Sequence, residues 1–485
     1  MQNLTVGKFG GTSMATGASY QRVALIHKAN PDMLVTVVSA AGNVKAGVNH
    51  NSGEQIGFRD DKVTNVLIRL RDRAIKRANP SRQTEDDAEI EWLVERYAFI
   101  MRGLPVATFS QGEIDEARRR IESMVESRLG TARFMPDGVP ALGEEWSAEI
   151  FTAYLNKVGT KATCAKPEEI GLLALEDNGK VTIPHSAYVN IRRRIEEKLA
   201  SRGVLIVPGF YAPDVNGVIR VLPRGGSDFS AIVLAGAMGA QQHNFSDTAF
   251  RVADPRMIPS AFALTDLPTD FAVASTSGGA NQVMQYETVA RARVDRTPIL
   301  VRDTFADQTI VEGTRGGTLI SPTAVPKEPI SAITVGGDCV AISIRKPEGE
   351  KDRDFGERVL DVITQLGLSF MDTPTATERI TITLRKNDLD ELDITAESVV
   401  RQLMAKIPRT TREEIQITEL SRVSIVGAGI KEGDGELIGK IYSACGKGAI
   451  KFSTIDGESL VIYVTNGGAK NIAQQIYSTV FEQKT

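Results

Sequence analysis

Residues 6–13 read Val6-Gly-Lys-Phe-Gly-Gly-Thr-Ser13. The stretch begins in a short apolar strand, Leu4–Phe9, and stops at a glycine pair followed by two hydroxyl residues. A glycine pair lets the backbone turn sharply and pass close to an anion. Amides at the start of a following helix would point at that anion. Lys8 places a charge at the strand tip, where a transferring phosphoryl group needs one, and Thr12 and Ser13 add hydroxyl donors. The spacing is not that of the G-x-x-x-x-G-K-[ST] loop. Alone, it also reads as a turn carrying a solvated charge.

Working outward, strands alternate with helices. Tyr20–Lys28 reads as a helix, and Met33-Leu-Val-Thr-Val-Val-Ser39 is the continuous β-branched run of a strand buried on both faces. Gly42–Phe58 reads as a loop. Lys62–Lys76, Asp86–Ile100, Glu113–Leu129 and Ala148–Val158 read as helices, Lys161–Cys164 and Val204–Pro208 as strands, Phe229–Met238 as a helix and Ile299–Arg302 as a strand. Val218–Leu222 has hairpin character after the turn Pro213-Asp-Val-Asn-Gly217. This alternation implies an α/β sandwich on a largely parallel sheet.

Pro322–Pro329 reads as a linker. Beyond it the rhythm shortens into a weak β-α-β-β-α-β repeat with a period of roughly 80 residues. Strands are expected at Cys339–Arg345, Ser369–Asp372, Ile380–Leu384 and Ile415–Leu420, and again at Arg422–Val426, Ala449–Ser453 and Ser459–Val464. The domains expected are 1–325, 332–420 and 421–485, with the last two open to interleaving.

The charges, 57 Lys+Arg against 61 Asp+Glu, are interspersed, so no basic field marks a nucleic-acid or membrane partner. Three cysteines and four histidines lie far apart, without metal-ligand spacing or a disulfide framework. Sparse cysteine fits a reducing compartment. The glycine motif lies among the first residues, and no apolar run approaches the ~18 residues a membrane helix needs. A cytoplasmic protein without a signal peptide is expected.

Three more stretches carry chemistry. Pro223-Arg-Gly-Gly-Ser-Asp-Phe-Ser230 sets a second glycine pair before a helix, bracketed by Arg224 and Asp228. Arginine clamps a carboxylate at two points; Asp228 reads as a helix cap, as a holder of a substrate ammonium or as a partner of Lys8. Leu142-Gly-Glu-Glu-Trp-Ser147 opens a helix with two acids, either complementing its dipole or binding a substrate amine. Asn244-Phe-Ser-Asp-Thr248 then Val252-Ala-Asp-Pro-Arg256, a strand ending in Ser-Asp followed by Asp-Pro-Arg, suits a nucleotide pocket, and equally any polar loop.

Taken in order, Lys8–Ser13, Val37-Val-Ser-Ala40, Lys62-Val-Thr-Asn65, Gly143-Glu144, Pro208-Gly-Phe210, Arg224–Asp228, Phe245-Ser-Asp247, Asp254-Pro-Arg256 and Glu312-Gly-Thr314 resemble the aspartate kinases, members of the amino-acid kinase family. The tail resembles their paired ACT regulatory domains. Within that family the chain looks closest to the monofunctional, lysine-type subgroup. The resemblance implies a three-layer α/β/α amino-acid kinase sandwich with C-terminal α+β, ferredoxin-like ACT domains. It implies transfer of the ATP γ-phosphate to the side-chain carboxylate of L-aspartate, the first step of lysine, threonine and methionine biosynthesis.

The implied roles are these. Lys8 and Asp228 are catalytic, with Lys8 neutralising the γ-phosphoryl group. Gly10 and Gly11 cradle phosphates, and Ser246, Asp247 and Arg256 face ATP. Thr12, Ser39 and Thr64 line the amino-acid pocket, Glu144 takes the substrate ammonium and Arg224 the α-carboxylate. Mg2+ rides on the phosphates, with no protein metal site. In the tail, Phe370, Met371, Asp372 and Thr377 match the effector region for an amino acid, lysine or threonine. A homodimer or higher homo-oligomer is expected, because paired ACT units complete their sites with a partner chain.

Some positions depart from the family pattern. Ala249-Phe-Arg-Val-Ala253 is a residue short and lacks the usual tyrosine. Asn281 stands for a lysine, Pro223 for a glycine, and Glu145 where arginine often follows the acid. Most of these lie on the ATP side, so nucleotide affinity or choice is expected to alter before aspartate recognition. Two further readings stand beside the first: a kinase for another amino-acid carboxylate, and an amino-acid-binding regulator whose kinase domain has decayed.

Overall fold

A run of β-branched residues with no polar alternation needs cover on both faces, and Met33–Val38 obtains it at the centre of an eight-stranded sheet. The computed structural model describes residues 4–44, 60–77, 79–105, 108–177, 179–200, 203–246, 249–277, 283–307, 316–348, 351–376, 378–407, 409–446 and 448–482. The chain divides into two units. The first comprises Met1–Phe250, Ala263–Thr269 and Val283–Ala324; the second comprises Arg251–Phe262, Asp270–Gln282 and Val325–Thr485.

In the first unit the sheet strands are β1 (Thr5–Phe9), β2 (Met33–Val38), β3 (Ala162–Cys164), β4 (Val204–Pro208), β5 (Gln241–Ser246), β6 (Asp266–Pro268), β7 (Ile299–Asp303) and β8 (Thr318–Ser321). Their order is β6-β8-β7-β5-β1-β2-β4-β3, parallel except where β7 meets β8. The helices are α1 (Gly17–Ala29), α2 (Val63–Lys76), α3 (Asp87–Arg102), α4 (Gln111–Gly130), α5 (Leu142–Lys157), α6 (Tyr188–Leu199), α7 (Gly226–Met238) and α8 (Tyr286–Asp295). Thr16 caps α1 by accepting from the Ser19 amide at 3.1 Å, and Ser110 with Glu113 forms a capping box on α4. The main core joins Phe9, Val38 and Phe245 of the sheet to Tyr20, Leu67, Leu93, Val125 and Phe151 of the helices.

The β1 strand is a switch point. The chain goes from it to β2 on one side and returns on the other through β5. Crevices at the carboxyl ends of parallel strands around such a reversal are where open α/β sheets bind ligands.

The second unit carries a seven-stranded antiparallel sheet: β9 (Ala332–Val335), β10 (Cys339–Arg345), β11 (Thr375–Ala376), β12 (Arg379–Arg385), β13 (Ile415–Val426), β14 (Ile450–Asp456) and β15 (Ser459–Thr465). Helices Asp352–Gln365 and Ala396–Lys406 pack on Ile342, Ile382 and Leu384 of the first repeat. The sequence reading needs three corrections. Ile415–Leu420 and Arg422–Val426 are one strand, β13, because their hydrogen-bond edges differ: residues 415–420 pair with β10 and 420–426 with β15. The break drawn at 420/421 therefore falls inside a strand, and β9 pairs with residues 423–426, lending the second repeat a strand from ahead of the first. Ser369–Asp372 is not a strand but a single bridge, Phe370 to Leu384. Finally, residues 251–262 and 270–277, expected in the first domain, pack with the second unit; Tyr477, for example, donates to the Ser260 carbonyl at 2.7 Å.

Candidate active site

The Lys8 ammonium lies 2.6 Å from Asp228 Oδ1, with the two side chains only 10% and 13% exposed. So little water remains that each charge depends on the other. The pair forms because α7 starts early. Gly225 takes a left-handed conformation (φ 78°), and a Cβ on Gly226 would come within 2.9 Å of the Phe210 backbone. The turn thus tolerates only glycines, and it sets Asp228 in the first helical turn, facing the tip of β1. From that first turn Asp228 Oδ1 reaches the Lys8 ammonium.

The β1 exit is shaped for close approach. A Cβ on Gly10 would stand 3.2 Å from Lys8 Nζ, and one on Gly11 3.1 Å from the Ala40 carbonyl. The Gly11 carbonyl accepts from the Gly42 amide at 2.9 Å, and the Ser39 amide donates to the Phe9 carbonyl at 3.1 Å. The turns after β1 and β2 are thereby tied together. Gly209, after β4, donates to the Val38 carbonyl at 3.0 Å. The carboxyl ends of three parallel strands and the start of α7 enclose one crevice.

Its far wall is α5. Gly143 allows that helix to rest on the β2 exit, since a Cβ there would overlap Ala40 Cβ at 2.7 Å and Val63 Cγ1 at 2.9 Å. Glu144 follows, fully buried, with Oε2 lacking a hydrogen-bond partner among the described residues. Burial pushes its carboxyl up to about 8, against opposing bonds from the Ala40 amide and its own. A buried acid with one unpartnered oxygen has the chemistry to receive a cation.

A family model, described as the amino acid kinase family, matches residues 3–303. The chain belongs to the amino acid kinase family. Aspartokinase 3 of Bacillus subtilis is 26% identical over 434 residues, spanning 89% of this chain and 88% of the relative. The crystal structure of E. coli aspartokinase III in complex with aspartate and ADP (R-state) superposes with a TM-score of 0.74 at 18% identity, covering 99% of this chain and 100% of that one. The same enzyme in complex with lysine and aspartate (T-state) gives 0.69 at 19%, covering 99% of each chain. At these identities the superpositions speak to fold alone: an α/β kinase sandwich followed by an α+β tail.

Other residues of this amino acid kinase sit as follows. Thr12, Ser39 and Thr64 are half-buried, at the turn after β1, the end of β2 and the first turn of α2, whose Val63 amide bonds the Ala41 carbonyl at 3.2 Å. Arg224 is exposed beside Gly225, with no ion pair among the described residues. Ser246 ends β5, its carbonyl accepting from Thr304. Asp247, Asn281, Glu312–Thr314 and Thr377 lie outside the described residues. Arg256 belongs to the second unit and forks onto Asp254, with Nη2–Oδ2 at 2.6 Å. In the same unit Phe370 is exposed and Met371 half-buried, while Asp372 accepts from the Tyr463 hydroxyl and, at 3.5 Å, from Thr454.

Three features escaped the sequence. Ser13, read as a phosphate donor, is buried and bonded to Thr304. Glu145 is buried against Arg128 and Lys166, each at 3.0 Å, and Tyr211 at 3.3 Å, so the acid standing where arginine is usual has two cations of its own. Asn244 pairs in register with Lys8. Phe9 and Phe245 stack at 4.5 Å on one face of the sheet, which puts Lys8 and Asn244 on the other. Asn244 is buried and its Oδ1 has no partner among the described residues. The run Gln241-Gln-His-Asn inside a core strand was the available signal, because buried amides require a reason.

Proposed function

We propose that this amino acid kinase transfers the γ-phosphoryl group of ATP to the side-chain carboxylate of L-aspartate, giving 4-phospho-L-aspartate and ADP. The observation that carries the reading is the Lys8–Asp228 pair at 2.6 Å beside the Gly10-Gly11 turn. Phosphoryl transfer asks the protein mainly for position and charge. Asp228 holds the Lys8 ammonium where charge builds on the phosphoryl oxygens, and the bare Gly10 and Gly11 leave room for those oxygens. Glu144 takes the substrate ammonium, Arg224 its α-carboxylate, and Thr12, Ser39 and Thr64 the polar edge of the pocket. The attacking carboxylate is already ionised at neutral pH, so it forms the new O–P bond without a general base while the bond to ADP breaks.

Mg2+ enters as part of the nucleotide substrate. Among the described residues no group of three or more His, Cys, Asp or Glu is gathered for a metal. Ser246, Asp247 and Arg256 are assigned to the ATP side, and Phe370, Met371, Asp372 and Thr377 to an amino-acid effector, lysine or threonine. The product would start the biosynthesis of lysine, threonine and methionine in the cytoplasm, with a homodimer completing the effector sites. No helix of the described residues is long and apolar enough to cross a membrane.

A hydroxamate assay with ATP, Mg2+ and a panel of acidic amino acids tests this. Turnover of aspartate, lost in Lys8→Ala, supports the reading. Turnover of a different acid alone, or amino-acid binding without turnover, overturns it.

A further inference from the structure

We propose that Ser13 and Thr304 form a positioning pair that locks the glycine turn to the strand tips beside it. This rests on reading the cleft as a phosphoryl-transfer site. The two hydroxyls are 2.7 Å apart, both residues are fully buried, and they come from opposite ends of the first unit.

The protons can be assigned. Thr304 Oγ1 donates to the Ser246 carbonyl at 2.9 Å, which uses its only proton. Ser13 must therefore donate to Thr304 Oγ1. The chain of bonds runs Ser13 to Thr304 to Ser246, and the Thr304 amide reinforces it with 2.8 Å to the same carbonyl.

Each end is rigidly attached to something that matters. Ser13 lies in the one-turn helix Thr12–Met14 directly after Gly10-Gly11, and the Met14 amide bonds the carbonyls of both glycines at 3.2 Å. Ser246 is the last residue of β5, the strand beside Lys8. From α1, Arg22 Nε donates to the Thr304 carbonyl at 2.9 Å and Nη2 to the Ala306 carbonyl. The glycine turn, the start of α1, the tip of β5 and the exit of β7 thus form one block. Without the hydroxyl pair, the turn could shift against β5 and carry the phosphate seat away from Lys8.

The test uses the full chain with Ser13→Ala, Thr304→Val, the double variant and Thr304→Ser. In Thr304→Val the Ser246 carbonyl keeps the residue 304 amide, so folding is expected, and melting curves confirm it. The readouts are kcat, KM for ATP and for aspartate, and ADP affinity by calorimetry. Misplacement of about 1 Å can lower a rate about 100-fold. We expect kcat down roughly 10- to 100-fold and ADP bound more weakly, with KM for aspartate within about twofold of wild type. The double variant should be no worse than Thr304→Val, which already removes both hydroxyl bonds of the chain, whereas Ser13→Ala removes only the first. Thr304→Ser, which keeps the hydroxyl, should restore near wild-type kinetics. Folded variants with unchanged kcat and ADP affinity, losses that multiply in the double variant, or a Thr304→Ser as impaired as Thr304→Val would each overturn the proposal. If the wild type binds ADP but does not phosphorylate aspartate, the substrate reading fails, and the ADP affinities of the variants still decide the role of the pair.

Discussion

Lys8 on β1 and Asp228 on α7 meet at 2.6 Å with little access to water, one at the start of the chain and the other nearly halfway along it. Removing either partner leaves a buried charge alone. On the proposed mechanism, Lys8→Ala also removes the cation that offsets charge on the moving phosphoryl group. Losing one such group typically lowers kcat by about 100- to 1,000-fold. Asp228→Asn keeps the shape and a hydrogen-bond acceptor but releases the ammonium from its fixed position. A smaller fall is expected, about tenfold, with KM for aspartate little changed. Steady-state kinetics with melting curves check both; variants that fold and retain full kcat would show that the pair is structural only.

Glu144 gives a pH prediction with a definite sign. Burial raises its carboxyl to about 8. Between the ordinary carboxyl value of about 4.3 and 8, the folded protein holds a proton that the unfolded chain does not. Unliganded stability therefore declines as pH rises from 5 to 8, and Glu144→Gln, which never ionises, should remove that slope. A substrate ammonium reverses the preference by stabilising the carboxylate. Aspartate binding should then release close to one proton per site at pH 6–7, and affinity should increase toward tenfold per pH unit up to about 8. Calorimetry in two buffers of different ionisation enthalpy measures the proton. No release, or the same release from Glu144→Gln, would place the ammonium elsewhere.

These two predictions mark what the sequence disclosed. Lys8, Gly10, Gly11, Arg224 and Asp228 could be named because glycine pairs beside charges have local geometry that composition betrays. That Asp228 reaches Lys8 was not decidable locally, since a helix cap also places an acid in a first turn. Parallel-strand alternation was legible in Met33–Val38, and the end of β5 in Asn244-Phe-Ser246; the start of β5 was not, because Gln242 and Asn244 break the apolar pattern and owe their burial to the layers packed on either side. Ser13 was misread for a related reason. A hydroxyl after a glycine turn looks like a phosphate donor until Thr304 arrives from nearly three hundred residues away. The continuity of β13 was hidden by a change of partner strand at residue 420, which leaves no mark on the local pattern.

Glu145 predicts a stability effect separate from catalysis. Its buried carboxylate joins Arg128 from α4 and Lys166 from the loop after β3. Breaking a buried pair by deleting one side costs about 3–5 kcal/mol; Arg128 and Lys166 are 22% and 39% exposed and can turn toward water, so Glu145→Ala should lose about 2–3 kcal/mol. Glu145→Arg, although it restores the residue frequent in the family, puts a third cation beside two others and should be worse than alanine. Urea unfolding at pH 7 ranks the variants, and a Glu145→Arg more stable than Glu145→Ala would refute the pairing argument.

The last prediction concerns the second unit. Asp372 is assigned to an effector ammonium, yet its carboxylate already accepts from the Tyr463 hydroxyl and lies 3.5 Å from Thr454 Oγ1. Burial and the Asp372 bond both raise the Tyr463 phenol above its ordinary value, so it remains a donor throughout the neutral range. An incoming ammonium must compete with that donor. Tyr463→Phe leaves the carboxylate short of one hydrogen bond at almost unchanged volume, and a hydrogen bond to a charged group contributes about 1.5–3 kcal/mol. If the ammonium takes the vacant place, half-inhibition should shift to roughly 10-fold lower effector concentration. Asp372→Asn should make the enzyme refractory. Lysine and threonine titrations of aspartate phosphorylation by the wild type and both variants provide the check. Inhibition curves that coincide for all three proteins would mean that Asp372 and Tyr463 only join the two repeats, with the effector bound away from them.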